Sequence, residues 1–242
     1  MSLRARKSAT GSYRPDDDYL IDIPRISQRE IALNGPLDWS LIFGKQAPLR
    51  VEIGFGKSEF LIDLAERESE YNYVGFEYST KRVGVFLRKV RRRGVQNIRV
   101  LRENATPLLP LLFDYQTVNH FYILFPDPWP KKRHAKHRLI QDKNIDVFGD
   151  LLEPRGGLSL RTDAPHYALQ MLDTLDASPQ FENLAGEGAY ALRPRDAIPT
   201  LYQTKFAKAG RSIYYLEYEK RQERGNDGRD DTGGGLGQKE AP

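Results

Sequence analysis

Between Val51 and Phe60 the stretch VEIGFGKSEF carries two incomplete ligand-binding signatures on the same residues. Gly56-Lys57-Ser58 ends like a phosphate-binding P-loop, and Gly54-Phe55-Gly56 begins like a dinucleotide-binding turn. A P-loop needs a glycine five residues before its Gly-Lys-Ser, but that position is Val51, inside an apolar run, so the loop is too short to wrap a phosphate. A dinucleotide fingerprint needs a glycine three residues after the second one. That position is Glu59, whose carboxylate would face a pyrophosphate at a helix N-terminus. What remains is a tight Gly-x-Gly turn with three carboxylates around it in the pattern, Glu52, Glu77 and Asp127, which suit a cation better than an anion.

Short apolar runs alternating with helical patterns must position these groups. LRVEIGF (49–55), YNYVGFEY (71–78), NIRVLRE (97–103), HFYILF (120–125) and GGLSLRT (156–162) read as strands. Helices are expected after the first, with Phe60, Leu61, Leu64 and Ala65 on one face, from Thr80 to Arg93, and from Arg138 to Leu152. Strand and helix repeated in this way predict an α/β fold with a mostly parallel sheet covered on both faces. FENL and RSIYYLEYEK read as a closing pair of strands, the last alternating like an antiparallel edge. In such a sheet ligands bind beyond the carboxyl ends of the strands, where the winding reverses. The residues there are Glu52 with its loop, Glu77, Asn104, Asp127 and Asp163.

Composition bounds the rest. The 242 residues are 39% hydrophobic and 29% charged, enough for one substantial core. The absence of cysteine excludes disulfides and thiolate zinc sites and fits a reducing cytoplasm. No apolar run reaches the ~18 residues of a membrane span, and the N-terminus has no apolar signal core. A single domain is expected over 16–223, flanked by a basic tail at 1–15 and a Gly- and charge-rich tail at 224–242 that cannot bury enough surface to fold. The net charge is a mild +4, but seven Lys and Arg fall in KRVGVFLRKVRRR (81–93) and five in KKRHAKHR (131–138). Such clusters suit a polyanion. The first reads equally well as a solvated helix face; the second follows a buried-looking strand directly. His134 and His137 lack carboxylates at ligand spacing, so no metal is expected.

A cation that also carries a ribose would satisfy the carboxylates. S-adenosylmethionine is such a ligand, with a sulfonium, an ammonium and two ribose hydroxyls. Glu77, 25 residues after Glu52 at the end of the second strand, is placed to accept those hydroxyls.

VEIGFGKSEFLIDLA, YVGFEYS, HFYILFPDPWPKKRHAKHR, LSLRTDAPHYA and TKFAKAGRSIYYLEYEK together resemble the bacterial tRNA (guanine-N7-)-methyltransferases, from Leu49 to Lys220. The resemblance implies a class I S-adenosylmethionine-dependent methyltransferase fold, Rossmann-like, with a seven-stranded sheet whose last strand is antiparallel. It implies methyl transfer to a guanine N7 in the variable loop of tRNA. It puts Glu52, Gly54, Gly56, Glu77, Asn104 and Asp127 around the cofactor, with Asp127 also at the catalytic position. Lys131, Asp163 and Thr204-Lys205-Phe206 would bind substrate, and Arg133, His134, Lys136, His137 and Arg138 would meet the RNA. The expected protein is a cytoplasmic monomer or homodimer with tRNA as partner. The sequence departs from the family pattern at Asn104, where an acid is usual, at Ser58, where glycine is usual, and at Ala207, where Glu is usual. A different acceptor, or a catalytically weak RNA-binding relative, is the alternative.

Guanine N7 is an exposed lone pair, so attack requires no prior removal of a proton. The enzyme's work is alignment of nitrogen, methyl and sulfur, for which positioning supplies about 7–11 kcal/mol. Asp127 is expected to accept hydrogen bonds from the base and offset its developing positive charge rather than act as a base. Trp129, between Pro128 and Pro130, either stacks on a base or plugs the end of the sheet.

Overall fold

The parallel sheet expected from the apolar runs is present in a computed structural model that describes residues 19–21, 35–192, 198, 203 and 209–222. The tails at 1–15 and 224–242, and the run Thr204-Lys205-Phe206, lie outside the described residues. The chain order is β1 (Leu20–Ile21), α1 (Trp39–Phe43), β2 (Leu49–Ile53), α2 (Phe60–Arg67), β3 (Asn72–Phe76), α3 (Thr80–Arg93), β4 (Ile98–Leu101), α4 (Ala105–Leu112) and β5 (Val118–Leu124). A 3-10 helix (Lys132–His137), α5 (Asp142–Leu151), β6 (Leu152–Thr162), α6 (Pro165–Asp176), β7 (Phe181–Asn183) and β8 (Tyr214–Lys220) complete it.

The sheet has eight strands in the order β1-β4-β3-β2-β5-β6-β8-β7. The seven expected strands are all there. The eighth is β1, which pairs parallel to β4 through Leu20 and Val100; two residues are too few for an alternating pattern to be read. Only β8 runs against its neighbours, β6 and β7. The jump from β2 over to β5 reverses the winding, so the switch point lies between these two hydrogen-bonded strands.

Side chains alternate between two cores, as strands covered on both faces require. Val51, Ile53, Val74, Phe76, Phe121 and Ile123 face α1, α4, α5 and α6. Tyr73, Ile98, Val100, Tyr122 and Leu124 face α2 and α3. Helix α4 was not legible, because ATPLLPLL holds two prolines. Pro107 falls in its first turn, where no N–H is needed, while Pro110 lies inside it.

One close approach in the second core sets the loop after β2. Gly75 of β3 pairs with Glu52, and a Cβ placed on it would lie 2.8 Å from Phe55 Cδ1 and 3.0 Å from Leu61 Cδ2. The Phe55 ring is fully buried there, with its centroid 4.2 Å from that of Phe86. Gly75→Ala should therefore cost about 1–3 kcal/mol by overpacking. The expected drop in Tm is about 3–10 °C by calorimetry, with weaker cofactor binding because the displaced ring carries the Gly-x-Gly loop.

Candidate active site

The loop leaving β2 is fastened to β3 at both levels of its structure. Gly54 and Gly56 have φ of 78° and 59°, left-handed values that side chains rarely adopt. The amides of Gly54 and Phe55 both donate to Phe76 O, at 2.8 and 3.3 Å. Phe55 between them is the apolar anchor described above, so the x of Gly-x-Gly is a core residue. Ser58 adopts no left-handed conformation. Its hydroxyl accepts from Phe60 N at 3.1 Å, a local turn that leads into α2, whose N-cap is Glu59. Lys57 is exposed, and Gly-Lys-Ser serves as the lead-in to a helix.

Glu77, at the carboxyl end of β3, is buried and accepts from Gly56 N at 3.1 Å and Ser79 N at 2.9 Å. Arg82 Nη1 stands 3.4 Å away. This carboxylate ties the glycine loop to the start of α3, and its two oxygens retain lone pairs for further donors. Tyr78, next in sequence, is 74% exposed on the same rim. Asn104 caps α4, accepting from Thr106 N at 3.3 Å; the usual acid there would cap equally well, so the departure leaves the helix intact.

Glu52 differs from the other carboxylates. It is 1% exposed, on the strand at the switch point, and its Oε2 has no hydrogen-bond partner. Burial raises its pKa to about 8, against the attraction of Arg161. Arg161, 5% exposed on β6, likewise leaves its Nε unpaired. Its Nη1 donates to Ile198 O at 3.1 Å and Gln203 Oε1 at 3.3 Å, and its guanidinium lies 5.2 Å from the Phe60 ring. A buried polar atom without a partner is costly unless a ligand completes it. A cation at the carboxyl end of β2 would do so for Glu52, and the residues present therefore fit S-adenosylmethionine.

Across the switch point, β5 runs into the loop Phe125–Pro130. Phe125 and Trp129 have φ of 54° and 38°, conformations that cost energy in residues other than glycine and that cluster at functional sites. Asp127 is exposed, and its Oδ1 accepts from Trp129 N at 3.1 Å, which shapes the turn. Arg138 braces it: Nε donates to Pro128 O at 2.9 Å, Nη2 to Trp129 O at 3.2 Å, and Nη1 to Gln170. This guanidinium, expected among the RNA contacts, is committed to the loop backbone and lies over the Tyr167 ring at 5.2 Å. Lys131, Arg133, Lys136 and His137 are exposed on and beside the 3-10 helix. Trp129 packs against His137 and His134, with ring centroids 5.2 and 5.7 Å apart, so it is held as a half-buried platform rather than as a plug. Among the described residues no group of three or more His, Cys, Asp or Glu could hold a metal. Asp163, beyond β6, pairs with Arg211 at 2.7 Å.

Sequence reasoning brought Glu52, Glu77, Asn104, Asp127 and Asp163 to the correct ends of successive strands, and missed Arg161, Tyr78 and the brace made by Arg138. Arg161 had a signal: in the alternating strand LSLRT it falls on the same face as Ser159, pointing inward, where a lone arginine needs a reason.

Residues 46–216 match a family described as "Putative methyltransferase". Over 184 residues the chain is 41% identical to a tRNA (guanine-N(7)-)-methyltransferase of Leifsonia xyli subsp. xyli, covering 76% of this chain and 81% of the relative. Over 223 residues it is 32% identical to the enzyme of the same name from Cupriavidus metallidurans, covering 90% and 82%. Among solved structures, a SAM-dependent O-methyltransferase of Thermotoga maritima shares the fold, with a TM-score of 0.50 at 16% identity over 82% of this chain and 72% of that one. The chain is thus built on the class I methyltransferase fold, and it belongs to the tRNA (guanine-N(7)-)-methyltransferase family.

Proposed function

We infer that this chain transfers the methyl group of S-adenosylmethionine to N7 of a guanine in tRNA, in the variable loop as the family resemblance implies. The observation that carries the reading is the pairing of unlike carboxylates across the switch point. Glu52 is buried and its Oε2 has no hydrogen-bond partner; Asp127 is exposed at the end of the adjacent strand. One suits a ligand cation, the other a base arriving from solvent.

When bound, the cofactor supplies an electrophilic methyl on a sulfonium: the N7–C bond forms as the C–S bond breaks, and the leaving sulfur takes both electrons. The chain's residues do the rest. Glu52 would hold the positive end of the cofactor, beside the backbone turn of Gly54 and Gly56. Glu77 accepts from the ribose hydroxyls, and Asn104 meets the adenine edge through its amide. Asp127 accepts from the guanine's Watson–Crick edge and offsets the charge that grows on the ring. Lys131, Asp163 and Thr204-Lys205-Phe206 bind the substrate nucleotide, Asp163 exchanging or sharing its Arg211 partner. Arg133, His134, Lys136 and His137 meet the RNA backbone, while Arg138 acts on substrate only through the loop it braces. The setting is cytoplasmic, as a monomer or homodimer.

Incubation with labelled S-adenosylmethionine and tRNA lacking the modification should give one methyl per acceptor tRNA, mapped by nuclease digestion and mass spectrometry to 7-methylguanosine. A methylated base of another kind would assign a different acceptor. Cofactor binding without methyl incorporation would point to the RNA-binding relative.

A further inference from the structure

The first basic run, read from sequence as either a polyanion site or a solvated face, is divided by the fold. On α3, Arg93 pairs with Glu59, Asp63 and Glu66 of the α2 region, and Lys89 pairs with Glu59 at 2.7 Å. Arg82 pairs with Glu77, and Arg91 lies 6.0 Å from the Tyr19 ring. Lys81, Arg88 and Arg92 are exposed and have no ion-pair partner among the described residues, although Glu59 exerts a longer-range attraction on Arg92. At positions i, i+7 and i+11 these three share one face of the helix, spaced about 10 and 6 Å along its axis.

Between the first two on that face lie Gly84 and Val85, both half-buried. A glycine in a helix interior costs about 1 kcal/mol relative to alanine, and nothing among the described residues requires it. A Cβ there would meet only Arg88 Nη1, at 3.8 Å, and the residue has no left-handed φ. With no side chain at Gly84, only the short Val85 stands between Lys81 and Arg88, so one flank of the stripe is low enough for a nucleic-acid backbone to approach.

We propose that the Lys81–Gly84–Arg88–Arg92 face of α3 is a second tRNA-binding surface, gripping phosphates remote from the target guanine. It begins one turn beyond Glu77 and runs down the outside of the α2–α3 layer. The inference rests on the tRNA-methylating function. It gives that function a positioning surface with no base readout, so the grip is independent of tRNA sequence.

The test is the triple variant Lys81→Glu/Arg88→Glu/Arg92→Glu, with the single reversals Arg88→Glu on this face and Arg155→Glu away from it as a charge-matched pair, measured by anisotropy of labelled unmodified tRNA across a salt series. Arg88→Glu should weaken binding more than Arg155→Glu. Expected for the triple variant are at least tenfold weaker binding near physiological salt and a log–log salt slope shallower by about two to three. The loss should appear in KM for tRNA, with S-adenosylhomocysteine binding and circular dichroism unchanged. Gly84→Ala should raise Tm, whereas Gly84→Gln should weaken tRNA binding while leaving cofactor affinity intact. Affinity and salt slope equal to those of the parent, in a parent that methylates tRNA, would overturn the proposal alone. A parent that binds cofactor and neither binds nor methylates tRNA would overturn the function and the proposal together.

Discussion

Asp127→Asn is expected to slow single-turnover methylation of tRNA by about 100-fold, the scale of removing one preorganised electrostatic group from a reacting centre. The substitution isolates charge from shape. Asparagine keeps an Oδ1 to accept from Trp129 N, the 3.1 Å contact that forms the turn, so the loop with its left-handed Phe125 and Trp129 is retained. What is lost is one acceptor for the guanine's edge and the negative charge that offsets the cation formed on the ring. Cofactor affinity should change little if this is the main role of Asp127. A variant with the full single-turnover rate would exclude it, and one with lost cofactor binding and an unchanged chemical step would move Asp127 to the cofactor side alone.

Cofactor binding should expel a proton. Glu52 is a buried carboxyl at the switch point on β2, opposite Tyr122 of β5, and Arg161 is the charged group that acts on it. With its pKa raised to about 8, the carboxyl is mainly neutral at pH 7 when no ligand is bound. A ligand ammonium favours the ionised form, so binding lowers that pKa. Affinity for S-adenosylhomocysteine should accordingly rise with pH between about 6 and 7.5, approaching tenfold per unit. Titration calorimetry in buffers of different ionisation enthalpy should report close to one proton released. Glu52→Gln should remove the pH slope and the proton release, and weaken binding by about 10- to 100-fold through loss of a charge-assisted contact. The same shift has a sign for stability. A carboxyl whose folded pKa lies above its unfolded value stabilises the fold at low pH, and that contribution fades as pH rises from about 4.5 to about 8. Thermal unfolding without ligand should therefore lose ground over that range, and saturating ligand should restore it.

How far the site could be read beforehand depended on what each residue answers to. Glu52, Glu77 and Asp127 are polar residues at the ends of apolar strands, and period-two runs locate strand ends well. Asn104 followed from the same logic, but its capping bond depends on a helix that two prolines concealed. The α3 helix was placed from Thr80 to Arg93 as found, because its apolar face and its Gly94 stop are local signals. Phe55 looked like the variable letter of a loop motif; only the missing Cβ at Gly75, in register with Glu52 on the next strand, makes it an anchor. Arg138 was assigned by its neighbours in a basic run. A run of like charges does not reveal which member turns inward, and Gln170 and Tyr167, which receive it, lie about thirty residues further on.

The sheet order has a consequence for how the protein behaves in company. A wide, mostly parallel sheet assembles from distant segments and risks meeting another copy while its ladder is incomplete. Here the outermost described strands are β1, with two residues, and β7, with three. Shortened margins are a recognised defence against strand-to-strand aggregation. Among the described residues an incoming chain finds two or three rungs at either margin, too few to hold it, while β2, β3, β5 and β6 each lie between two hydrogen-bonded neighbours.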